Sequence, residues 1–256
     1  NSGTISIGST GSNSATFSGN ITLNKAVTLT ADSGGTATFS TGVVSGTGAV
    51  TKAGAGTVVL SGTNTYAGTT TINEGVLVLG ANAPSSANGA LGNASSAVLL
   101  GNTSGSSNAS LITNGAFTIA RAITVQSGNS GTITIGGTGA NSATFSGNIT
   151  LDKAVTLTAD SGGTATFSTG VISGTGALTK SGVGTVVLSG SNTYSGGTII
   201  SAGILSISSD GNLGAVPGSV TASSINLNGG TLLATANITL NSNRGITLGA
   251  SSTISV

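Results

Sequence analysis

The chain has 256 residues, of which 4% are charged and 3% aromatic, and six Lys and Arg against five Asp and Glu give a net charge of +1. This balance provides neither a basic surface for nucleic acid nor a polybasic segment for a membrane. With no Cys and no His in the sequence, disulfides, thiolate chemistry and imidazole metal sites are excluded. The hydrophobic residues, 37% of the total, occur in short alternating runs, which indicates a folded chain despite its 44 Gly.

A long internal repeat organises the sequence. Residues 1–66 match residues 129–194 at an offset of 128, and nine substitutions leave 57 identical positions. The segment beginning at Ser252 again resembles the segment beginning at Gly3. We therefore predict a first module at residues 1–128, a second at residues 129–249 and the start of a third at residues 250–256, in one continuous rod without a true domain boundary. We expect the chain to be part of a longer tandem array.

A shorter period lies inside each module. The motif Ala-Thr-Phe-Ser at Ala15 recurs at Ala37, and Val58-Val-Leu-Ser takes the same place one period later. Between Gly, Ser and Asn turns, the apolar runs predict short strands at residues 21–23, 27–29, 43–45 and 58–60. No stretch has the spacing of an amphipathic helix, so we predict an all-β fold with essentially no α-helix.

Short strands at a constant period bury an apolar face only when successive periods stack on one another. The sequence therefore predicts a parallel β-solenoid, or β-helix, with about 21 to 22 residues per rung. Phe17 would then stack on Phe39 inside it. Six rungs per module predict an advance of roughly 29 Å per module and about 55 to 60 Å for the whole chain.

Two segments interrupt the period, Ala81 to Gly92 and Ser208 to Gly218, and each contains the only Pro of its module. Since Pro cannot donate in a ladder, both segments are predicted to be protruding corner loops. We interpret them as simply long corners; the alternative is that they are the place where the rod contacts partners.

The acidic residues offer no catalytic pair. Asp32 and Asp160 occupy the same position of two modules and are predicted to lie too far apart to cooperate, Glu74 becomes Ala202, and a calcium site needs several carboxylates. The other two acidic residues are Asp152 and Asp210. We predict no catalytic, cofactor-binding or metal-binding residue and no cofactor.

Cationic residues recur at equivalent positions in the two modules. They are Lys25, Lys52, Lys153, Lys180, Arg121 and Arg244. We interpret them as solvated charges at strand ends, which deter edge pairing; the alternative is a line of contacts for an acidic polysaccharide. Thr-x-Thr pairs raise ice binding as a further alternative, but Val59 is predicted to lie one rung from Thr38 and would interrupt a Thr ladder.

One stretch carries a family signature. It reads GVGTVVLSGSNTYSGGT from Gly182, and a similar copy spans residues 48–69. This pattern resembles the passenger-associated transport repeat of bacterial autotransporters. The resemblance implies a right-handed parallel β-helix displayed outside a Gram-negative cell, in a passenger exported by type V secretion. It implies no functional residues, because its Gly, Asn and Tyr positions have structural roles: Asn bonds the backbone in a turn, and Tyr66 and Tyr194 cover the rung edge.

These observations predict a non-enzymatic structural segment of a long extracellular β-solenoid fibre, a rigid stalk or adhesin shaft that mediates attachment or cell-cell contact. The expected location is the cell surface, with anchoring to the outer membrane through another part of the protein. The predicted partners are neighbouring modules stacked end to end, together with glycans or other cell surfaces, and neither nucleic acid nor membrane insertion is expected. Two alternatives are the scaffold of a passenger whose enzymatic domain lies elsewhere, and a subunit of an extracellular filament connecting cells.

Overall fold

Short strands joined by tight corners make up almost the whole molecule. The computed structural model describes residues 4–256, and this part of the chain contains 28 strands and one 3-10 helix, Asp210–Leu213. In chain order β1 to β28 are Ile5–Ser9, Ser14–Phe17, Ile21–Leu23, Val27–Ala31, Thr36–Phe39, Val44–Gly46, Val50–Ala53, Thr57–Leu60, Thr70–Ile72, Gly75–Leu79, Val98–Leu100, Ala109–Thr113, Thr118–Ile119, Ile123–Val125, Ile133–Gly137, Ser142–Phe145, Ile149–Leu151, Val155–Ala159, Thr164–Phe167, Ile172–Gly174, Leu178–Ser181, Thr185–Leu188, Thr198–Ile200, Ile204–Ile207, Thr221–Leu227, Thr231–Ala234, Arg244–Leu248 and Thr253–Ser255.

The strands form three faces around one axis, and within each face neighbouring strands are parallel. The first face has the order β1-β4-β7-β9-β11-β14-β17-β20. The second runs β2-β5-β8-β10-β12-β15-β18-β21-β23-β25-β27, and the third contains β3-β6 and β13-β16-β19-β22-β24-β26-β28. Because the chain visits the faces in turn, it winds as a parallel β-solenoid with 11 strands on its longest face. The predicted fold is confirmed.

Loop segments complete the third face between its two groups of strands. The Thr65 amide donates to Val44 O, the amides and carbonyls of Asn64 and Gly89 bond each other, and Ala83 pairs with Ile119 of β13. The backbone stack thus continues through corners that have no strand pattern of their own.

Alternating side chains point into the solenoid and form columns along its axis. Phe17 stacks on Phe39 with ring centroids 4.8 Å apart, and Phe145 stacks on Phe167 at 4.9 Å. The predicted aromatic stacks are therefore present in both copies. Such columns arise because the parallel register places each residue directly beside its counterpart one turn away, as for Ala15 and Ala37.

The length of a turn varies, and the variation lies in the corners. One turn of the second face takes the chain from Ser14 to Thr36, whereas a later and much longer turn takes it from Gly75 to Ala109. The longer turn contains the segment predicted as the first corner loop, whose residues 85–88 are exposed while Leu91 packs into the core. None of the helical structure within residues 4–256 has the length and apolar character needed to cross a bilayer.

The two copies of the sequence repeat begin on different faces. From β1 the first face is revisited at β4, β7, β9, β11 and β14, which makes five turns, and β15 then starts the second copy on the second face. One copy therefore spans five and a third turns, or roughly 26 Å. The prediction of six turns is wrong because the corner segments use more residues than the predicted period allows.

Candidate functional site

In each copy a lysine occupies an inward-facing position of the core. Lys52 lies in the column between Leu29 and Ile72, and none of its surface is exposed. Its methylene groups continue the aliphatic column, while its ammonium reaches the corner where β7 ends. Lys180 occupies the equivalent position between Leu157 and Ile200 and is equally buried.

Backbone carbonyls satisfy these buried ammonium groups. Lys52 Nζ donates to Ala53 O, Gly54 O and Glu74 O at 2.9, 2.6 and 2.8 Å. In the second copy, the distances from Lys180 Nζ to the carbonyls of residues 181, 182 and 202 are 2.7, 2.8 and 3.0 Å. Three N–H groups thus meet three acceptors, and this lysine cage ties two successive rungs together. The interpretation of Lys52 and Lys180 as solvated charges is wrong, because the corner carbonyls replace water.

Burial governs the acidity of both lysines. Desolvation lowers the pKa of Lys52 to about 8, and the negative charge of Glu74 opposes this shift. Desolvation also lowers the pKa of Lys180 to about 8. Glu74 is replaced by Ala202 in the second copy, so the cage depends on carbonyl dipoles and not on an ion pair.

The remaining two lysines lie nearer the surface. Lys25 is exposed, whereas the half-buried Lys153 donates to Asn129 O at 2.5 Å and to Gly131 O at 2.6 Å. Each copy therefore has one caged lysine in the core and one lysine close to solvent.

The side chain of the motif Asn makes hydrogen bonds where the backbone ladder between turns is interrupted, and we call this the asparagine bridge. Asn64 Oδ1 accepts from the Val44 amide and its Nδ2 donates to Ala90 O, both at 2.9 Å. Asn192 makes the equivalent pair of bonds with Ile172 N and Asn212 O. Since this side chain carries both a donor and an acceptor, it links three rungs where the backbone turns. The prediction that Asn bonds the backbone is confirmed.

The motif tyrosines lie inside the solenoid. Tyr66 has no exposed surface, and its hydroxyl lies 2.8 Å from Thr70 Oγ1. The corresponding distance from Tyr194 to Thr198 is 2.6 Å. Burial raises the pKa of both phenols to about 12, although the hydrogen bond and a nearby arginine oppose the shift. The tyrosines are therefore core groups, more enclosed than the predicted cover of a rung edge.

A glycine from the next turn and an arginine from the turn after that enclose each tyrosine. A Cβ on Gly92 would lie 2.2 Å from Tyr66 O and 2.9 Å from its ring, so only glycine fits there. Arg121 is buried beyond this glycine and donates to Gly92 O at 3.1 Å and to Pro84 O at 3.3 Å. It fastens the corner loop onto the tyrosine, and we call this arrangement the arginine lock. The interpretation of Arg121 as a solvated charge is also wrong.

The second copy makes the same lock with more bonds. Arg244 Nε donates to Asp210 Oδ1 at 2.8 Å, in an ion pair. Its two terminal nitrogens donate to the carbonyls of Asp210, Leu213, Gly214 and Ala215 at 2.7 to 3.3 Å. All five guanidinium N–H groups are thereby used. Arg244 is buried as well, so its interpretation as a solvated charge is wrong for the same reason.

A cleft of about 300 Å³ borders this second lock. It lies between residues 194–197 and 215–218, and Arg244 forms part of its wall. Since the guanidinium is saturated by the protein itself, it has no donor left for a ligand. Val216 in the loop and Val220 just after it are exposed.

The acidic residues serve corners as well. Asp32 Oδ2 accepts from the Gly11 amide at 2.8 Å, and Asp160 Oδ2 accepts from the Gly139 amide at 2.9 Å. The two carboxylates belong to different faces and are separated by five and a third turns, so the structure does not bring them together. Among residues 4–256, no group of three or more His, Cys, Asp and Glu is arranged to hold a metal ion.

In each copy, the buried lysine, asparagine and tyrosine lie within a segment that matches a known sequence family. The family model for the passenger-associated-transport-repeat matches residues 50–79 and 178–207. Two segments of the chain thus match this transport repeat. Each transport repeat contains the lysine cage, the asparagine bridge and the tyrosine, whereas the arginine lock lies outside the matched residues.

A curated relative agrees with this assignment. The chain is 47% identical over 68 residues to a protein described as "Adhesin BmaC autotransporter", from Brucella suis biovar 1 (strain 1330). The aligned segment is 27% of this chain and only 2% of the adhesin. No solved structure matches the chain. The resemblance to an autotransporter passenger built from transport repeats is confirmed.

Sequence reasoning missed the lysine cages and arginine locks, although two signals were present. Alternation in Val50-Thr-Lys-Ala places Lys52 on the same side as Val50, which is inward. The recurrence of Arg121 as Arg244 after each corner loop also marked a shared structural role. General expectations for charged residues outweighed both signals.

Proposed function

We propose that this chain is a segment of the rigid shaft of a cell-surface adhesin, which holds a binding part of the protein away from the outer membrane. The transport repeats and the solenoid support a structural, surface-associated role. The observation that carries the proposal is the saturation of buried polar groups by the backbone of adjacent rungs, as at Lys52 and Arg244. These hydrogen bonds stiffen the rod and occupy side chains that would otherwise be suited to binding a ligand.

Three further observations support a shaft. The ladder of the second face runs through both copies without a break, so bending would have to separate neighbouring strands on that face. The surface of small hydroxyl and amide side chains, with few charges, keeps the rod polar without strong electrostatic attraction to other molecules. The similar relative is named an adhesin. We propose no enzymatic activity for this segment.

The test exchanges the shaft in a surface-displayed adhesin that carries this chain between its membrane anchor and its binding tip. A flexible Gly/Ser linker of the same length replaces the chain in one variant, and an unrelated β-solenoid with the same number of turns replaces it in another. A shaft role predicts that the linker reduces attachment of cells to their target at equal surface expression, and that the unrelated solenoid restores it. Full attachment with the flexible linker would overturn the proposal, as would failure of the rigid replacement.

A further inference from the structure

The segment Thr-Ile-Thr/Ser that opens each copy of the repeat lies on a different face each time. Ile5 belongs to β1 on the first face, Ile133 to β15 on the second, and Ile254 to β28 on the third. The chain therefore samples all three positions that a start point can occupy on a three-faced solenoid.

This rotation holds along the whole repeat and does not depend on its length. β4 and β10 of the first copy lie on the first and second faces, and their equivalents β18 and β24 lie on the second and third. Yet the stretch of chain from Thr4 to Thr132 is longer than the stretch from Thr132 to Thr253. Insertions and deletions are confined to corners, because a change within a rung would break the ladders on both sides. The two copies thus differ in length but share the value of five and a third turns.

We infer that successive modules of the array present equivalent surfaces on three sides of the rod in turn, with each face recurring at every third module. This inference deepens the proposed shaft function and rests on it. Three copies make sixteen turns, so equivalent points on one face are separated by roughly 77 Å, while neighbouring copies are offset by roughly 26 Å and one face.

The corner loops show the consequence for recognition. In the first copy, residues 81–92 lie on the third face, between β10 on the second face and β11 on the first. In the second copy, residues 208–218 lie on the first face, between β24 on the third and β25 on the second. A flat surface laid along one side of the rod meets the loop of one module in three. The partner that fits every module is one that surrounds the rod.

Disulfide trapping tests the rotation, since the chain has no Cys of its own. A copy makes five and a third turns because residues 61–69 and 80–97 each fill one side of the solenoid without forming a strand. As a result Thr71 pairs with Thr51 across the first segment, and Ser110 pairs with Val76 across the second. If a copy made five whole turns, one of the two segments would fill no side, and either Thr71 would lie on the third face or Ser110 on the first. Adjacent parallel strands have a Cα separation of roughly 4.8 Å, which a disulfide spans.

The experiment compares three double variants of the whole chain under mild oxidation, with the disulfide measured by mass spectrometry. Thr28→Cys with Thr51→Cys is the control, because these residues pair on the first face across a turn made only of strands. We expect disulfides in this control, in Thr51→Cys with Thr71→Cys and in Val76→Cys with Ser110→Cys. A disulfide in the control together with no more than one-tenth of its yield in either of the other two variants would overturn the inference. Since attachment is not measured, the outcome is independent of the adhesin test.

Discussion

A methyl group on the α-carbon of Gly75 would lie 2.7 Å from the ammonium nitrogen of Lys52. It would also lie 2.3 Å from Gly54 O, and the φ of Gly75 is +71°, which L side chains rarely adopt. Gly203 has the same relationship to Lys180, at 2.8 Å. The glycine and lysine of the transport repeat therefore form one unit, in which the missing side chain of the first makes room for the charge of the second.

Gly75→Ala is expected to destabilise the chain by about 2 kcal/mol or more, because it strains the backbone and displaces the buried ammonium from its acceptors. Urea unfolding followed by circular dichroism measures the change. The matched control is Gly19→Ala, where an added Cβ meets nothing within 4 Å, and its effect should stay within about 0.5 kcal/mol. Equal effects of the two variants would contradict the role assigned to Gly75.

The free energy of unfolding is expected to rise from about pH 8 to about pH 10 and to fall at higher pH. The folded chain holds Lys52 and Lys180 at a pKa of about 8, below the ordinary value of 10.5, so between these values the unfolded chain binds more protons and higher pH favours folding. Tyr66 and Tyr194 have a folded pKa of about 12 against an ordinary value of 10.0, so above pH 10 the unfolded chain loses protons first and stability falls. Urea midpoints from pH 7 to 11 should pass through a maximum near pH 10. A continuous fall from pH 7 would contradict the assigned shifts.

Replacing both caged lysines is expected to remove the alkaline rise. Lys52→Met should reduce it by about half and lower stability at pH 7, since the carbonyls of residues 53, 54 and 74 lose their donor. Adding Lys180→Met should abolish the rise. Lys25→Met, at an exposed position, serves as the control and should retain the full pH profile. Persistence of the rise in the double variant would show that other groups cause it.

Tyr66→Phe is expected to lower the free energy of unfolding by about 1 kcal/mol at neutral pH, because Thr70 loses its buried hydrogen-bond partner. The same variant should lessen the loss of stability above pH 10. Thermal unfolding at pH 7 and at pH 11 measures both effects. A variant that is weaker at pH 7 but keeps the full alkaline loss would contradict the pKa assigned to Tyr66.

Arg244→Met is expected to lower the free energy of unfolding by about 3 kcal/mol or more, because it leaves Asp210 and several carbonyls without their buried donor. This loss should exceed the loss caused by Arg121→Met. Hydrogen exchange should increase first in residues 208–218, the loop that the guanidinium holds. Asp210→Asn keeps the carbonyl bonds of Arg244 and should cause a smaller loss. The reverse order of the two arginine variants would contradict the tighter lock in the second copy.

Sequence and structure agree on the fold because the signal for stacking is local and repeated. Phe17 and Phe39 lie one period apart, and a parallel register at that spacing leaves them no position except one above the other. The interruption of the Thr column was equally predictable, since Thr38 does pair with Val59. Each of these predictions needs only the period and the alternation of side chains.

The sequence by itself determined a parallel solenoid, its period and its repeated motif, because short apolar strands joined by Gly corners bury their faces only by stacking. Only the tertiary structure decided that the ammonium of Lys52 stays buried, because its acceptors come from corners that close in three dimensions. It also decided the number of turns in a copy. Residues 61–69 and 80–97 lack a strand pattern that would reveal how many sides of the solenoid they form, so the one-face rotation between copies followed only from which strands pair.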